Sequence, residues 1–189
     1  MGRWDPDAAG RFRAAAMELF GEIGYEQTTV AAIAERAGLT ARTFFRYFAD
    51  KREVLFSGSE RLQALMVDAL AKAPKGASPI EAVAAALAAP AEFFNDELRP
   101  FSRLRNTVIA ANAELHEREL IKLAKLSAAL AGALRERGVA EPDASLAAEA
   151  GIAVFRVAFA QWVAEAERRH YTEIVGGLLA RLRTLAALP

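Results

Sequence analysis

The chain has 189 residues, 53% apolar and 25% charged, with 24 basic against 24 acidic side chains and no cysteine. This composition belongs to a folded chain with one sizeable core or two small ones, and it excludes disulfides, thiolate metal sites and a broad basic surface. No apolar run approaches the roughly 20 residues of a membrane span, and the opening "MGRWDPDAAG" lacks the order of a secretion signal, so a cytoplasmic protein is expected and any nucleic-acid contact must come from a local patch.

The pattern is all-α, rich in alanine and without a convincing alternating strand. Phe12, Leu19, Phe20 and Ile23 share one face of a first helix, which Gly24 stops. Thr28 or Thr29 can cap a short helix with Val30, Ile33, Ala34 and Ala37 on its inner face, and Gly38 breaks it. Thr40 caps another short helix that ends near Phe48. Asp50 and Glu53 have capping-box spacing for a long helix reaching about Lys72. After the loop "APKGASP", Ser78, Pro79 and Glu81 restart a helix. Further helices are predicted over 80–94, 100–115, 117–137, 143–167 and 171–188, with Pro90 ending or kinking the first of them.

The segment "TARTFFRYFADKRE", residues 40–53, carries the densest chemistry. At about 100° per residue, Phe44 and Phe48 face one way while Arg42 and Arg46 face roughly the other, with Thr43, Phe45 and Tyr47 on the flanks. Residues 36–52 hold five basic side chains (Arg36, Arg42, Arg46, Lys51, Arg52) against the single acid Asp50. Two short helices around a glycine turn form a helix-turn-helix, whose second helix enters the DNA major groove. Arginine can donate two hydrogen bonds to guanine. The threonines Thr28, Thr29 and Thr40, together with Lys51, sit at helix starts suited to phosphate oxygens.

The stretch "GYEQTTVAAIAERAGLTARTFFRYFADKREVL", residues 24–55, closely resembles the DNA-binding segment of the TetR family of bacterial transcriptional regulators. The resemblance implies a DNA-binding domain over 1–57, a helical ligand-binding and dimerisation domain over 58–189, and a homodimer. Carried over by position, Thr28, Thr43, Tyr47 and Lys51 resemble phosphate contacts, while Ala41, Arg42 and Arg46 resemble groove-facing readers, with Val30 near the bases. Where the family commonly has tyrosine this chain has Phe45, which loses the hydroxyl and leaves a sugar or a thymine methyl as its contact. With Thr29 and Thr40, these complete the expected DNA face.

The remainder is less specific. Residues 145–167, "SLAAEAGIAVFRVAFAQWVAEAE", are apolar almost all round, which predicts burial on every side. One stripe (Ile152, Phe155, Phe159, Trp162) can line a pocket and the smaller one (Ala153, Val157, Ala160, Ala164) can meet a partner. In the last helix Val175, Leu178, Leu182 and Leu185 share a face, and Gly176 and Gly177 allow close approach. Pairing of these two helices with their symmetry mates is expected. Phe93, Phe94 and Phe101 are expected to surround a bend, and Arg105, Val108 and Asn112 share a helical face. Arg156, in an apolar helix, calls for an internal carboxylate or an anionic ligand. Phe94, Arg105, Val108, Asn112, Arg156, Phe159 and Trp162 are therefore the expected ligand-binding residues. Residues 104–134 and 147–163 loosely resemble the C-terminal domain of mycofactocin-type TetR regulators, which implies an elongated apolar or acyl-type effector.

The expectation is a ligand-responsive repressor that needs no cofactor. Its effector tilts the helix over 50–72, changes the spacing of the two recognition helices and releases a palindromic operator. The alternative is a helical ligand-binding protein or bundle enzyme with an architectural helix-turn-helix. Glu167 and His170 have the Glu-x-x-His spacing of di-iron bundles, but the other histidine, His116, has no glutamate three residues before it. No phosphate loop, nucleophile elbow or zinc motif is present.

Overall fold

The computed structural model describes residues 7–187. The expected helix end at Leu188 lies outside the described residues. Ten α-helices occur among them: α1 (Ala8–Glu22), α2 (Val30–Arg36), α3 (Ala41–Phe44), α4 (Lys51–Phe56), α5 (Ser59–Ala71), α6 (Pro79–Ala88), α7 (Arg99–Ala110), α8 (Ala113–Glu136), α9 (Asp143–Trp162) and α10 (Tyr171–Ala186). A 3-10 turn at Ala89–Glu92 contains Pro90 and ends the α6 rod, as the proline predicts. The chain divides into two compact units. The first takes the described residues up to Gly58 together with Leu104–His116, and the second takes Ser59–Arg103 and the described residues from Glu117.

In the first unit, α1 lies on α2 and α4, and α2 lies on α3. Its core is built on Phe12, Phe20, Ile33, Phe44, Phe48, Val54 and Phe56, with Val108, Ile109 and Leu115 from the later segment. Ile23, expected on the buried face of α1, is 49% exposed, because α1 ends at Glu22 and the chain turns at Gly24. α2 starts where Thr29 Oγ1 accepts from the Ala32 N–H, and it closes through Gly38 N–H to the Glu35 carbonyl and Leu39 N–H to the Ala34 carbonyl. Gly38 holds φ at +64°, a left-handed conformation that costs a side-chain-bearing residue roughly 1–2 kcal/mol. The Arg11 guanidinium from α1 reaches the Ala37 and Gly38 carbonyls and fixes the turn from outside. Gly38→Ala is accordingly expected to lower stability by about 1–2 kcal/mol, and its Cβ would meet the Arg11 guanidinium at 3.0 Å. A denaturant melt with an unchanged midpoint would refute this.

The long helix expected over 50–72 is two helices. Asp50 caps α4 by accepting from the Arg52 and Glu53 N–H groups, but α4 ends at Phe56 and α5 begins at Ser59. Ser57 and Gly58 make the joint, and the apolar spacing runs on across it, which is why periodicity alone reads one helix.

In the second unit, α5 packs on α6, α6 on α9 and α10, and α9 on α10. The core includes Met66, Leu70, Val83, Leu87, Leu130, Leu134, Phe155, Trp162 and Tyr171. At Gly151 a Cβ would collide with the Val83 side chain, so this glycine sets how closely α9 approaches α6. Ser78 and Glu81 form the expected capping box of α6. The Arg137 guanidinium donates to the carbonyls of Ala71, Ala73 and Pro74 and closes the end of α5. α9 stops at Trp162, five residues before the expected end, and only part of its surface is buried. Leu146, Ala153, Arg156, Val157, Ala160 and Ala164 are exposed, as are Gly176, Gly177 and Leu185 of α10.

Candidate nucleic-acid interface

The first unit places the aromatic and basic residues of 40–53 on opposite sides. Phe44 is 0% exposed and sits edge-on to Phe12 at 5.2 Å, with Phe48 tilted against it at the same distance. Thr40 Oγ1 accepts from the Thr43 N–H at 3.1 Å and lies 2.9 Å from Thr43 Oγ1, so one pair of hydroxyls both caps α3 and faces solvent. α3 proper ends at Phe44, and turn hydrogen bonds carry the chain through Phe45, Arg46 and Tyr47 to Phe48. Arg42 and Arg46 are exposed. Among the described residues neither is paired with a carboxylate, and Arg46 lies 5.9 Å over the Tyr47 ring. Phe45 is 58% exposed, its ring held edge-on by Phe44. Ala41, Thr43, Val30 and Tyr47 are half-buried at the border, and Thr29 and Thr40 are exposed.

Four residues of the charged and polar set differ from expectation. Thr28, expected at a phosphate, is 1% exposed, and its hydroxyl donates to the Gly24 carbonyl at 2.7 Å, so its side chain locks the turn. Lys51 Nζ donates to the carbonyls of Tyr25 (2.7 Å), Thr28 (3.0 Å) and Glu26 (3.3 Å) and sits 4.2 Å over the Tyr25 ring. Its three donors are all engaged, and a phosphate would have to displace one of those bonds. Arg36 is held by Glu18 and Glu22 and Arg52 by Asp50 and Glu114, so the positive excess counted along 36–52 is partly neutralised inside the unit. The Arg36 hydrogen bond holds the Glu22 carboxyl below its ordinary pKa. That stabilisation is present above the ordinary glutamate value and is lost as pH falls through the lowered one. Burial pushes Tyr25, beneath the Lys51 ammonium, up to about 12, and it remains neutral.

Lys51→Met is expected to lower stability by about 1–2 kcal/mol, because the Tyr25–Thr28 loop loses its ammonium tie. Its salt slope for duplex binding should change by less than one unit. A thermal melt beside a salt titration checks this, and an unchanged melt with a slope reduced by about one would return Lys51 to the phosphates.

The residues expected to bind a ligand separate into two groups. Arg105, Val108 and Asn112 fall in the first unit: Arg105 Nε donates to the Leu55 carbonyl at 2.7 Å with its guanidinium 5.3 Å over Phe56, Val108 is core, and Asn112 donates to the Val108 carbonyl. Phe94, Phe159 and Trp162 fall in the second unit and touch one another. Arg156 is exposed on α9, contrary to the internal ion pair or enclosed ligand contact that its apolar surroundings suggested. Phe93, Phe94 and Phe101 do not form one cluster: Phe93 lies under Arg61, Phe94 joins the rings of α9, and Phe101 is 38% exposed. Phe155 and Tyr171 also join the Phe94 rings. Helical spacing already puts Phe155 in the pocket-lining stripe, but Tyr171 begins a separate helix and only the tertiary fold brings it in. Glu167 is bound to Arg169 and drawn down to about 2. No cluster of three potential metal ligands occurs among the described residues.

An N-terminal unit that buries aromatics and leaves two arginines exposed beside a capped short helix has the layout of a helix-turn-helix. Residues 12–57 match the family described as bacterial regulatory proteins, tetR family. The HTH-type transcriptional regulator TcmR of Streptomyces glaucescens is 42% identical over 74 residues, which are 39% of this chain and 33% of that protein, so the alignment spans about a third of that relative. A TetR-family regulator from Syntrophomonas wolfei superposes with a TM-score of 0.69 over 98% of this chain and 97% of that one at 18% identity. FadR from Bacillus subtilis in complex with stearoyl-CoA superposes with a TM-score of 0.59 over 92% and 96% at 22% identity. Residues 12–57 thus carry the tetR-family sequence pattern, and the described chain shares its fold with those regulators.

Proposed function

We propose that the protein is a dimeric, ligand-responsive transcriptional regulator rather than an enzyme. In this reading it acts in the cytoplasm as a repressor and leaves a palindromic operator when a small apolar or acyl-type effector binds. The observation that carries the reading is the pair Arg42 and Arg46, exposed and without a carboxylate partner among the described residues, beside a helix whose opposite face is anchored in the core by Phe44 and Phe48. The unit 1–57 would read DNA, with Thr29, Thr40, Thr43 and Tyr47 on phosphates, Arg42 and Arg46 on base edges, and Ala41, Val30 and Phe45 in apolar contact. The 58–189 part, apart from residues 104–116 that fold with the first unit, would hold the effector and the dimer interface.

The exposed small-residue stripe of α9 and the bare glycines of α10 support dimerisation, since an unpartnered apolar face of this kind fits a close helix-helix interface. In that setting Arg156 lies on or beside the contact face. The long-chain acyl thioester held by FadR supports an acyl-type effector as one candidate. Effector binding would shift the Ser57–Gly58 joint between α4 and α5, and a 100-fold loss of operator affinity needs about 2.7 kcal/mol of coupling.

Selection from a random duplex pool, followed by salt titration of the recovered sequence and sedimentation, tests the reading. Expected are a two-fold symmetric site, affinity falling with salt, and a dimeric mass at micromolar protein. Salt-insensitive binding without sequence enrichment, or a monomeric mass, would overturn it.

A further inference from the structure

The second unit holds a set of side chains whose chemistry a generic apolar pocket does not explain. The Phe94 ring meets four others, at 4.6 Å (Tyr171), 5.5 Å (Trp162), 5.7 Å (Phe159) and 6.0 Å (Phe155). Phe155 and Phe159 stack with 16° between their planes. Trp162 is 0% and Tyr171 1% exposed, and the Arg99 guanidinium carbon lies 5.3 Å over the Trp162 ring.

Three polar atoms of this group are buried with no hydrogen-bond partner among the described residues: Trp162 Nε1, the Tyr171 hydroxyl and Arg99 Nε. Buried polar groups are normally paired, and an orphan carries the full cost of its lost hydration. One orphan is an accident of packing, whereas three on consecutive neighbours share a character. Each can donate a hydrogen bond, and the indole and guanidinium can only donate. Three of the other four Arg99 N–H donors are spent on the Glu167 and Arg169 carbonyls and on Asp96. Burial alone pushes Tyr171 upward, so its hydroxyl keeps its proton at neutral pH. A ring cage can also attract cations, but the fixed charge of Arg99 on the Trp162 ring opposes a second one. The complement of this surface is a flat apolar body that brings an acceptor oxygen.

We propose that this cluster is the effector site and that its ligands are flat, apolar molecules with a carbonyl or carboxylate oxygen, received by Trp162 Nε1–H and the Tyr171 hydroxyl. Phe94 and Phe159, the half-buried members, form its solvent side. The consequence for DNA rests on the regulator reading, but the binding itself does not.

The test uses the full chain and three probes in equilibrium dialysis: 9-fluorenone, fluorene (the same frame without the carbonyl) and decanoate (an acceptor on a saturated chain). Fluorenone is expected to bind at least tenfold more tightly than fluorene and than decanoate. Tyr171→Phe and Trp162→Phe should each reduce the advantage over fluorene to threefold or less, with the affinity for fluorene itself unchanged in Tyr171→Phe. The melting temperature of ligand-free Tyr171→Phe should stay level or rise, since it removes an orphaned hydroxyl. Equal binding of ketone and hydrocarbon, no binding of either, a preference for decanoate, a ketone preference untouched by Tyr171→Phe, or a clear fall in its melting temperature would overturn the proposal. Loss of salt-sensitive duplex binding with the ketone preference intact would instead overturn the regulator reading and leave the site standing.

Discussion

Alanine at both Arg42 and Arg46 is expected to lower affinity for the selected duplex by at least about 30-fold per protomer, since two bidentate base contacts are worth about 1 kcal/mol or more each. Both side chains are exposed and neither carries a carboxylate partner among the described residues, so the melting temperature should stay within a degree or two of the parent. Fluorescence anisotropy against the selected site and against a scrambled duplex separates the two parts of the loss. Binding to the scrambled duplex should weaken far less, because only its phosphate contribution falls. A double variant that keeps the parent's ratio between the two duplexes would remove these arginines from base reading.

Phe44→Ala is expected to cost about 3–5 kcal/mol, at the upper end for a large-to-small change in a packed core. The ring is fully buried and contacts Phe12, Phe48 and Phe45 at once, and the surrounding core is small. The loss is a large share of the stability available to an ordinary domain. Duplex binding should fall with it, because Phe45 and Arg46 depend on Phe44 for their placement. Denaturant melts of Phe44→Ala and Phe44→Leu check the size of the effect, with leucine recovering part of the loss. A shift below about 1 kcal/mol would mean that the anchoring of α3 lies elsewhere.

The sequence showed the local features of the helix-turn-helix clearly. Thr29, Thr40 and Asp50 act as caps on the N–H groups two or three residues on, and Gly38 takes the positive φ its position required. These are short-range rules, so a single sequence exposes them. What it hid was set by distant contacts. Thr28 turned inward to Gly24, and Lys51 reached 23 to 26 residues back to carbonyls that no spacing rule connects to it. Arg36 and Arg52 found carboxylates on other helices. The Ser57–Gly58 joint escaped because one glycine is a weak interruption when the apolar period continues through it. Along α9 the composition read correctly as apolar, but a lone chain cannot show whether such a face is covered by its own fold or by a second copy. The ring cluster was only half legible, because Tyr171 reaches it from a different helix.

The carboxylates on Arg36 and Arg52 and the carbonyls on Lys51 also bear on how the proposed regulator would meet a chromosome. Electrostatic hold on arbitrary sequence grows with the number of phosphates a protein neutralises, and here most of the cations near the recognition helix are already committed within the unit. Such a surface would spend little time on the millions of irrelevant sites that compete for any operator. Its selectivity would come from being a poor binder of ordinary DNA as much as from recognising its own site.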